Sequence, residues 1–242
     1  MFINGTEYCK LQLSKMIDYA ILNSDVTEND IKDICKLAKT YNFRGVHPNP
    51  IWVPLVLREL EGTDIETGLV VSFPFGANPT SFKKNEAKEL VKILNGRPGC
   101  IDVVTNIGAL KDKNYKLYTE DIAEIVKIGH NSSLEVKAII ETAMLTKEEI
   151  EAACECAVAA GIDFVKTSTG RGGIPQVKDI ITMRKVLPPH IGIKYSGFGN
   201  NNPTELFVMA LAAGATRFGT TIAPQIIDEV FANYSNIVMN LN

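Results

Sequence analysis

Short apolar runs rich in β-branched residues alternate along the chain with longer stretches whose apolar positions return every third or fourth residue. The first pattern suits strands buried on both faces and the second suits helices with one apolar side. Eight runs read as strands: 16–22, 43–47, 67–73, 100–106, 134–140, 163–168, 191–196 and 217–221. Start signals precede several of the intervening helices. Thr27 to Asp30 opens one, and Thr146 with Glu149 gives another a capping box. Pro50, Pro175, Pro203 and Pro224 fall near expected helix starts, where a missing N–H does no harm. Gly161 and Gly214 follow alanine-rich helix ends.

Eight strand–helix units in 242 residues match the count and size of a (β/α)8 (TIM) barrel, with residues 1–242 expected to form a single domain. A doubly wound open sheet would carry a glycine-rich dinucleotide loop after an early strand, and none is present.

In such a barrel chemistry sits where the strands end. The polar residues there are Asp18, His47 with Asn49, Ser72, Asp102 with Asn106, Lys137 with Glu141, Lys166 with Ser168, Lys194 with Ser196, and Thr220 with Thr221. Three consecutive strands carry a lysine in one local pattern, EVKAII, DFVKTS and GIKYS, and Asp102 stands on the strand before them. A single strand-end lysine is ordinarily solvated or half of a structural ion pair. Three converging on one pocket are different, because like charge and desolvation both favour the neutral amine. A neutral amine attacks carbonyls, so the pattern suits Schiff-base chemistry. Spacing does not say which lysine is the nucleophile. After Lys166, the run Thr167 to Arg171 reads either as a phosphate cradle or as an ordinary flexible loop.

Composition removes other classes. The net charge of -3 offers no footprint for nucleic acid or an anionic membrane, and no apolar run is long enough to span a bilayer. Five cysteines without CxxC spacing argue against a disulfide framework or zinc cage and fit a reducing cytoplasm. The N-terminus lacks a signal-peptide core. His47, His130 and His190 form no evident metal-ligand set.

The stretches SFPFGAN, IDVVTNIGALK, EVKAIIET and FVKTSTG, matched in order from about Ile17 to Gly219, resemble the deoxyribose-phosphate aldolase family. These are metal-independent class I aldolases on a (β/α)8 barrel. The resemblance implies reversible cleavage of 2-deoxy-D-ribose 5-phosphate to glyceraldehyde 3-phosphate and acetaldehyde, without a cofactor. It makes Lys166 the Schiff-base residue, Lys194 its partner in proton transfer, Asp102 a proton carrier, Lys137 the lysine paired with Asp102, and Asp18 a further acid. Phosphate is expected at Thr169, Gly170, Arg171, Gly197, Gly219, Thr220 and Thr221, with His47 and Asn106 as additional candidates. Family members form dimers or higher oligomers, so a homo-oligomer (dimer or tetramer) is expected.

Several positions depart from the family pattern. Phe198 replaces a glycine, Asn200 stands where an arginine is expected, and Thr220–Thr221 replaces a serine pair. Tyr19 and Ala20 replace histidine and threonine, and His47 takes a place often held by cysteine or another small residue. They leave open a same-family aldolase with a different sugar phosphate or aldehyde. A non-catalytic sugar-phosphate sensor is opposed by the retention of all three lysines and Asp102.

Overall fold

The computed structural model describes residues 1–199, 202–234 and 238–239. All eight apolar runs become strands of a closed parallel barrel: β1 (Ile17–Ile21), β2 (Gly45–Pro48), β3 (Glu66–Val71), β4 (Gly99–Val104), β5 (Glu135–Ile139), β6 (Phe164–Lys166), β7 (Gly192–Ser196) and β8 (Arg217–Thr220). Each strand pairs with its sequence neighbours, and β8 closes the ring onto β1. Eight helices alternate with them: α1 (Glu28–Tyr41), α2 (Val53–Glu59), α3 (Thr80–Leu94), α4 (Tyr115–His130), α5 (Lys147–Ala159), α6 (Val177–Val186), α7 (Pro203–Ala212) and α8 (Ala223–Tyr234).

Local chemistry sets the helix ends. Thr27 and Thr146 accept from the amides of Asp30 and Glu149, whose carboxylates accept from the threonine amides in return. Pro203 is the first residue of α7, whereas Pro175 lies just before α6 and Pro224 just inside α8. On α1 the buried residues are Ile31, Ile34, Cys35 and Ala38, the apolar stripe that the spacing predicts.

Three expected strands end two residues early, each for a local reason. Ser72 turns into the left-handed region at φ 55, which stops β3. Asn106 accepts from the Ala109 amide and caps a short helix, Ile107–Lys111, which stops β4. After Lys166, the Ser196 amide donates to Thr167 Oγ1 in place of a backbone carbonyl, which ends β6. A small sheet that the apolar pattern does not announce joins Phe2–Ile3 to Thr6–Glu7 and Val238–Met239; its strands are two residues long, too short to show a period. Among the described residues, no helix is long and apolar enough to cross a membrane.

Successive strand residues face opposite ways. Val46, Leu69, Ile101, Val103, Val136, Val165, Ile193, Tyr195 and Phe218 are buried under the helices and form the apolar layer. Many inward positions carry charge, with Val70, Val104, Ile139 and Phe164 among the apolar ones, where bulky aliphatics usually fill such barrels. Arg217 is the centre of the lower layer. It lies 3.4 Å from Asp18, 3.6 Å from Glu66 and 3.4 Å from Glu135, with its guanidinium 5.1 Å from the Phe164 ring centre. Burial alone would weaken its charge, and Asp18 and the two glutamates more than offset that.

Arg217→Met would remove a cation that three carboxylates share, leaving Asp18 with Lys194 and the two glutamates with Arg44. We expect a loss of about 1–3 kcal/mol, read as a lower urea midpoint; an unchanged midpoint would contradict this role for the guanidinium.

Candidate active site

Register brings the predicted residues to one place. Asp102 is opposite Lys137, Lys166 is opposite Lys194, and Lys194 is opposite Arg217. Lys166 and Lys194 both donate to the same oxygen of Asp102, Oδ2, each at 2.8 Å. The two nitrogens are therefore within two hydrogen-bond lengths of each other. Lys194 also lies 2.5 Å from Asp18 Oδ2, and Lys137 lies 3.6 Å from Asp102 Oδ1. Asp18, Asp102 and Lys137 are wholly buried, Lys194 is 1% exposed and Lys166 5%.

Removing an ammonium from water costs several kcal/mol, and a carboxylate nearby returns part of that. For Lys166 burial wins: its pKa is lowered, with Lys194 adding to the effect and Asp102 opposing it. The sequence pattern suggests cationic crowding and desolvation together; here desolvation leads, and the closest partner is an anion. For Lys137 the balance reverses. Burial opposes its charge, but Cys100, Asp102 and Asp18 outweigh it and the pKa is raised. Burial would raise both carboxyls too, yet Lys194 at Asp18 and Lys166 at Asp102 hold them well below the usual carboxylate range.

Above this cluster opens a cavity of about 410 Å³, lined at its base by Lys166, Lys194, Asp18 and His47. Gly219 is needed there, since a Cβ on it would meet Ser196 Oγ at 2.5 Å and Lys194 Cε at 3.1 Å. The walls include Ala20, Ser168, Thr169, Gly170, Gly197, Thr220 and Thr221, and Arg171 stands at the mouth. Arg171 reaches across to Asn23, donating to its Oδ1 at 2.6 Å.

Glu141 organises the loop after β6, a role that its place at a strand end does not disclose. Its carboxylate accepts from Ser168 Oγ at 2.6 Å and from Thr169 Oγ1 at 2.5 Å. The Gly170 amide donates to Ser168 Oγ and the Arg171 amide to Thr169 Oγ1. The hydroxyls of Ser168 and Thr169 and the amides of Gly170 and Arg171 are thus engaged within the loop itself, and the Arg171 side chain is the cation that this loop adds to the cavity. Arg217, on which the lower layer depends, is the other residue that sequence reasoning missed; its inward direction is the same as that of Gly219, two positions on.

Other expectations resolve differently. Asn106 caps a helix and does not line the cavity. Tyr19 points outward and packs edge-on against Phe43. Phe198 is among the residues that line the cavity, and its ring packs edge-on against Tyr195 in the apolar layer at 4.9 Å. Asn200 lies outside the described residues. His47, Cys100 and Asp102 bring a nitrogen, a thiol and a carboxylate within 4.8 Å of one another, a set of donors the spacing does not reveal. The ammonium groups of Lys194 and Lys137 adjoin them and oppose a cation there.

The model of the DeoC/LacD family aldolases matches residues 13–226. The chain belongs to this family. Deoxyribose-phosphate aldolase of Clostridium novyi is 43% identical over 219 residues, covering 90% of this chain and 96% of that one. The enzyme of that name from Thermococcus kodakarensis is 42% identical, covering 90% and 97%. Among solved structures, the tetrameric deoxyribose phosphate aldolase from Aeropyrum pernix superposes with a TM-score of 0.83 at 25% identity, covering 93% of each chain. In the DeoC/LacD chain described here, the buried lysines and Asp102 form a site that can add an amine to a carbonyl and move protons beside it.

The depressed carboxyls contribute stability that is present above the ordinary Asp pKa of about 3.9 and lost as pH falls below it, because the unfolded chain then takes up protons that the folded one excludes. Urea midpoints should fall steeply below about pH 4. Asp18→Asn should flatten that fall, and an equally steep fall in the variant would remove Asp18 from the account.

Proposed function

We propose that this DeoC/LacD aldolase, one domain over residues 1–242, reversibly cleaves 2-deoxy-D-ribose 5-phosphate into D-glyceraldehyde 3-phosphate and acetaldehyde through a Schiff base on Lys166. The observation that carries the reading is the shared Asp102 oxygen, which holds Lys166 and Lys194 together at the base of the cavity. The names of the relatives support the substrate.

The steps follow from the chemistry of the groups. The neutral Lys166 amine adds to the aldehyde carbon, and loss of water leaves a protonated imine. As the proton leaves the 3-hydroxyl, the electrons of the C2–C3 bond move into the iminium, which releases glyceraldehyde 3-phosphate and leaves an enamine. Protonation at C2 restores the imine, and hydrolysis frees acetaldehyde and Lys166. Asp102 and Lys194 carry these protons, each transfer contributing about 10²–10⁴-fold. The iminium is the electron sink, so this route needs no metal or cofactor. Arg171 attracts the phosphate at the mouth, with Gly170, Gly197, Gly219, Thr220 and Thr221 along the wall. The reading includes a homo-oligomeric assembly, supported by the tetrameric relative, and a cytoplasmic location, supported by five free cysteines.

A second reading keeps the Schiff base and changes the sugar phosphate or aldehyde. Ala20 favours it, because a small apolar residue lines the wall beside His47. Cleavage assays across sugar phosphates separate the two: activity on 2-deoxyribose 5-phosphate is expected, and activity confined to another compound would replace the first reading by the second.

Borohydride reduction with acetaldehyde present should leave a two-carbon adduct on Lys166 in peptide mass maps. An adduct on Lys194 instead would reverse the assigned roles. Lys166→Leu should reduce turnover to background while lowering stability by less than about 2 kcal/mol, since Asp102 keeps Lys194 at 2.8 Å.

A further inference from the structure

The mechanism above leaves one buried ring unused. His47 is 1% exposed, and its Nε2 is aimed at the centre of the charged cluster. It lies 3.4 Å from Lys194 Nζ, 3.5 Å from Asp102 Oδ1, 3.5 Å from Cys100 Sγ and 3.7 Å from Asp18 Oδ2. Those groups belong to β1, β4 and β7; the strand beside it, β3, offers Gly68. A Cβ at residue 68 would sit 2.0 Å from the His47 ring, so the ring occupies space that exists because that residue is glycine.

The Lys194 ammonium has three hydrogens to place. Two directions are taken by Asp18 Oδ2 and Asp102 Oδ2. The third acceptor within reach is His47 Nε2. Burial and the Lys194 charge both disfavour protonation of the ring, against the pull of Asp18 and Asp102, and its pKa is lowered. A neutral ring has one nitrogen with a free lone pair. Two donors face Nε2, this ammonium at 3.4 Å and the weaker Cys100 thiol at 3.5 Å. The charged donor makes the stronger bond, with the Nδ1 hydrogen then buried without a partner among the described residues. Cys100, whose thiol is pushed up to about 12 by burial, keeps its proton at neutral pH and adds no competing charge.

We propose that His47 is a positioning residue for the Lys194–Asp102 proton-transfer pair: its Nε2 accepts the third Lys194 hydrogen and holds that ammonium between Asp18, Asp102 and the reacting lysine. Through Lys194, His47 also acts on Lys166, because an ammonium held nearby favours the neutral Lys166 amine. The inference rests on the lysine roles proposed above. A borohydride adduct on a different lysine would remove those roles, whereas the nitrogen state of His47 is read independently of them.

Two measurements test it. In ¹⁵N-histidine-labelled wild-type protein, NMR at neutral pH should show the His47 Nε2 unprotonated and Nδ1 protonated; a proton on Nε2 would overturn the proposal whatever any variant does. The second compares replacements of similar bulk. His47→Gln offers an acceptor near the position of Nε2 and should keep kcat within about threefold, whereas His47→Met offers none and should lower kcat by about tenfold or more with little change in KM. His47→Met should also move the acidic limb of the kcat/KM profile to higher pH, because the Lys194 cation that helps keep Lys166 neutral is held less firmly beside it. A role in packing alone predicts two variants with the same kcat and the wild-type pH profile, and that result would overturn the proposal.

Discussion

One oxygen of Asp102 accepts from two lysines at 2.8 Å in an interior from which water is largely excluded. Each partner limits the others. The carboxylate stays charged because cations surround it, and Lys194 is held because Asp18 and Asp102 flank it. Lys166 occupies the cavity end of this arrangement, where burial outweighs the attraction of Asp102 and the neutral amine is favoured. A reactive amine and a charged proton carrier thus coexist a few ångströms apart, although their side chains are chemically the same.

The fold exists around that arrangement. A barrel filled with aliphatic side chains would be simpler to stabilise, since buried ion pairs return little of their desolvation cost. This one stacks Arg217 with Glu66, Glu135 and Asp18 below, then Lys194 and Asp102, then Lys166 at the cavity. Apolar stabilisation comes from the outward strand faces and the helices over them, where Tyr195, Phe198, Phe207 and Phe218 pack together. The division lets the interior be spent on charge. Above it, Glu141 fixes the loop that follows the reactive lysine, so the mouth is built on the same rigid frame.

Much of this was legible in the sequence. Eight apolar runs became eight strands because their period and length are strong signals. Lys166 and Lys194 converge because they are register partners on neighbouring parallel strands, whereas Lys137 pairs with Phe164 and joins them through Asp102. What could not be read depends on contacts between distant strands. The pairing of Arg217 with Glu66 and Glu135 needs the register of three strands at once, and the space for His47 depends on a missing side chain at Gly68. The direction of the Phe198 ring, which packs against Tyr195 while the residue lines the cavity, likewise depends on a neighbouring strand. Asn106 stood at a strand end, but the adjacent short helix takes its side chain as a cap.

The claim on which the rest depends is the titration of Lys166 itself. In protein labelled with ¹³C at the lysine ε carbon and assigned with Lys166→Leu, following the Lys166 signal across pH gives its midpoint directly. The account predicts a midpoint below the ordinary lysine value of about 10.4; a midpoint at or above that value would contradict it.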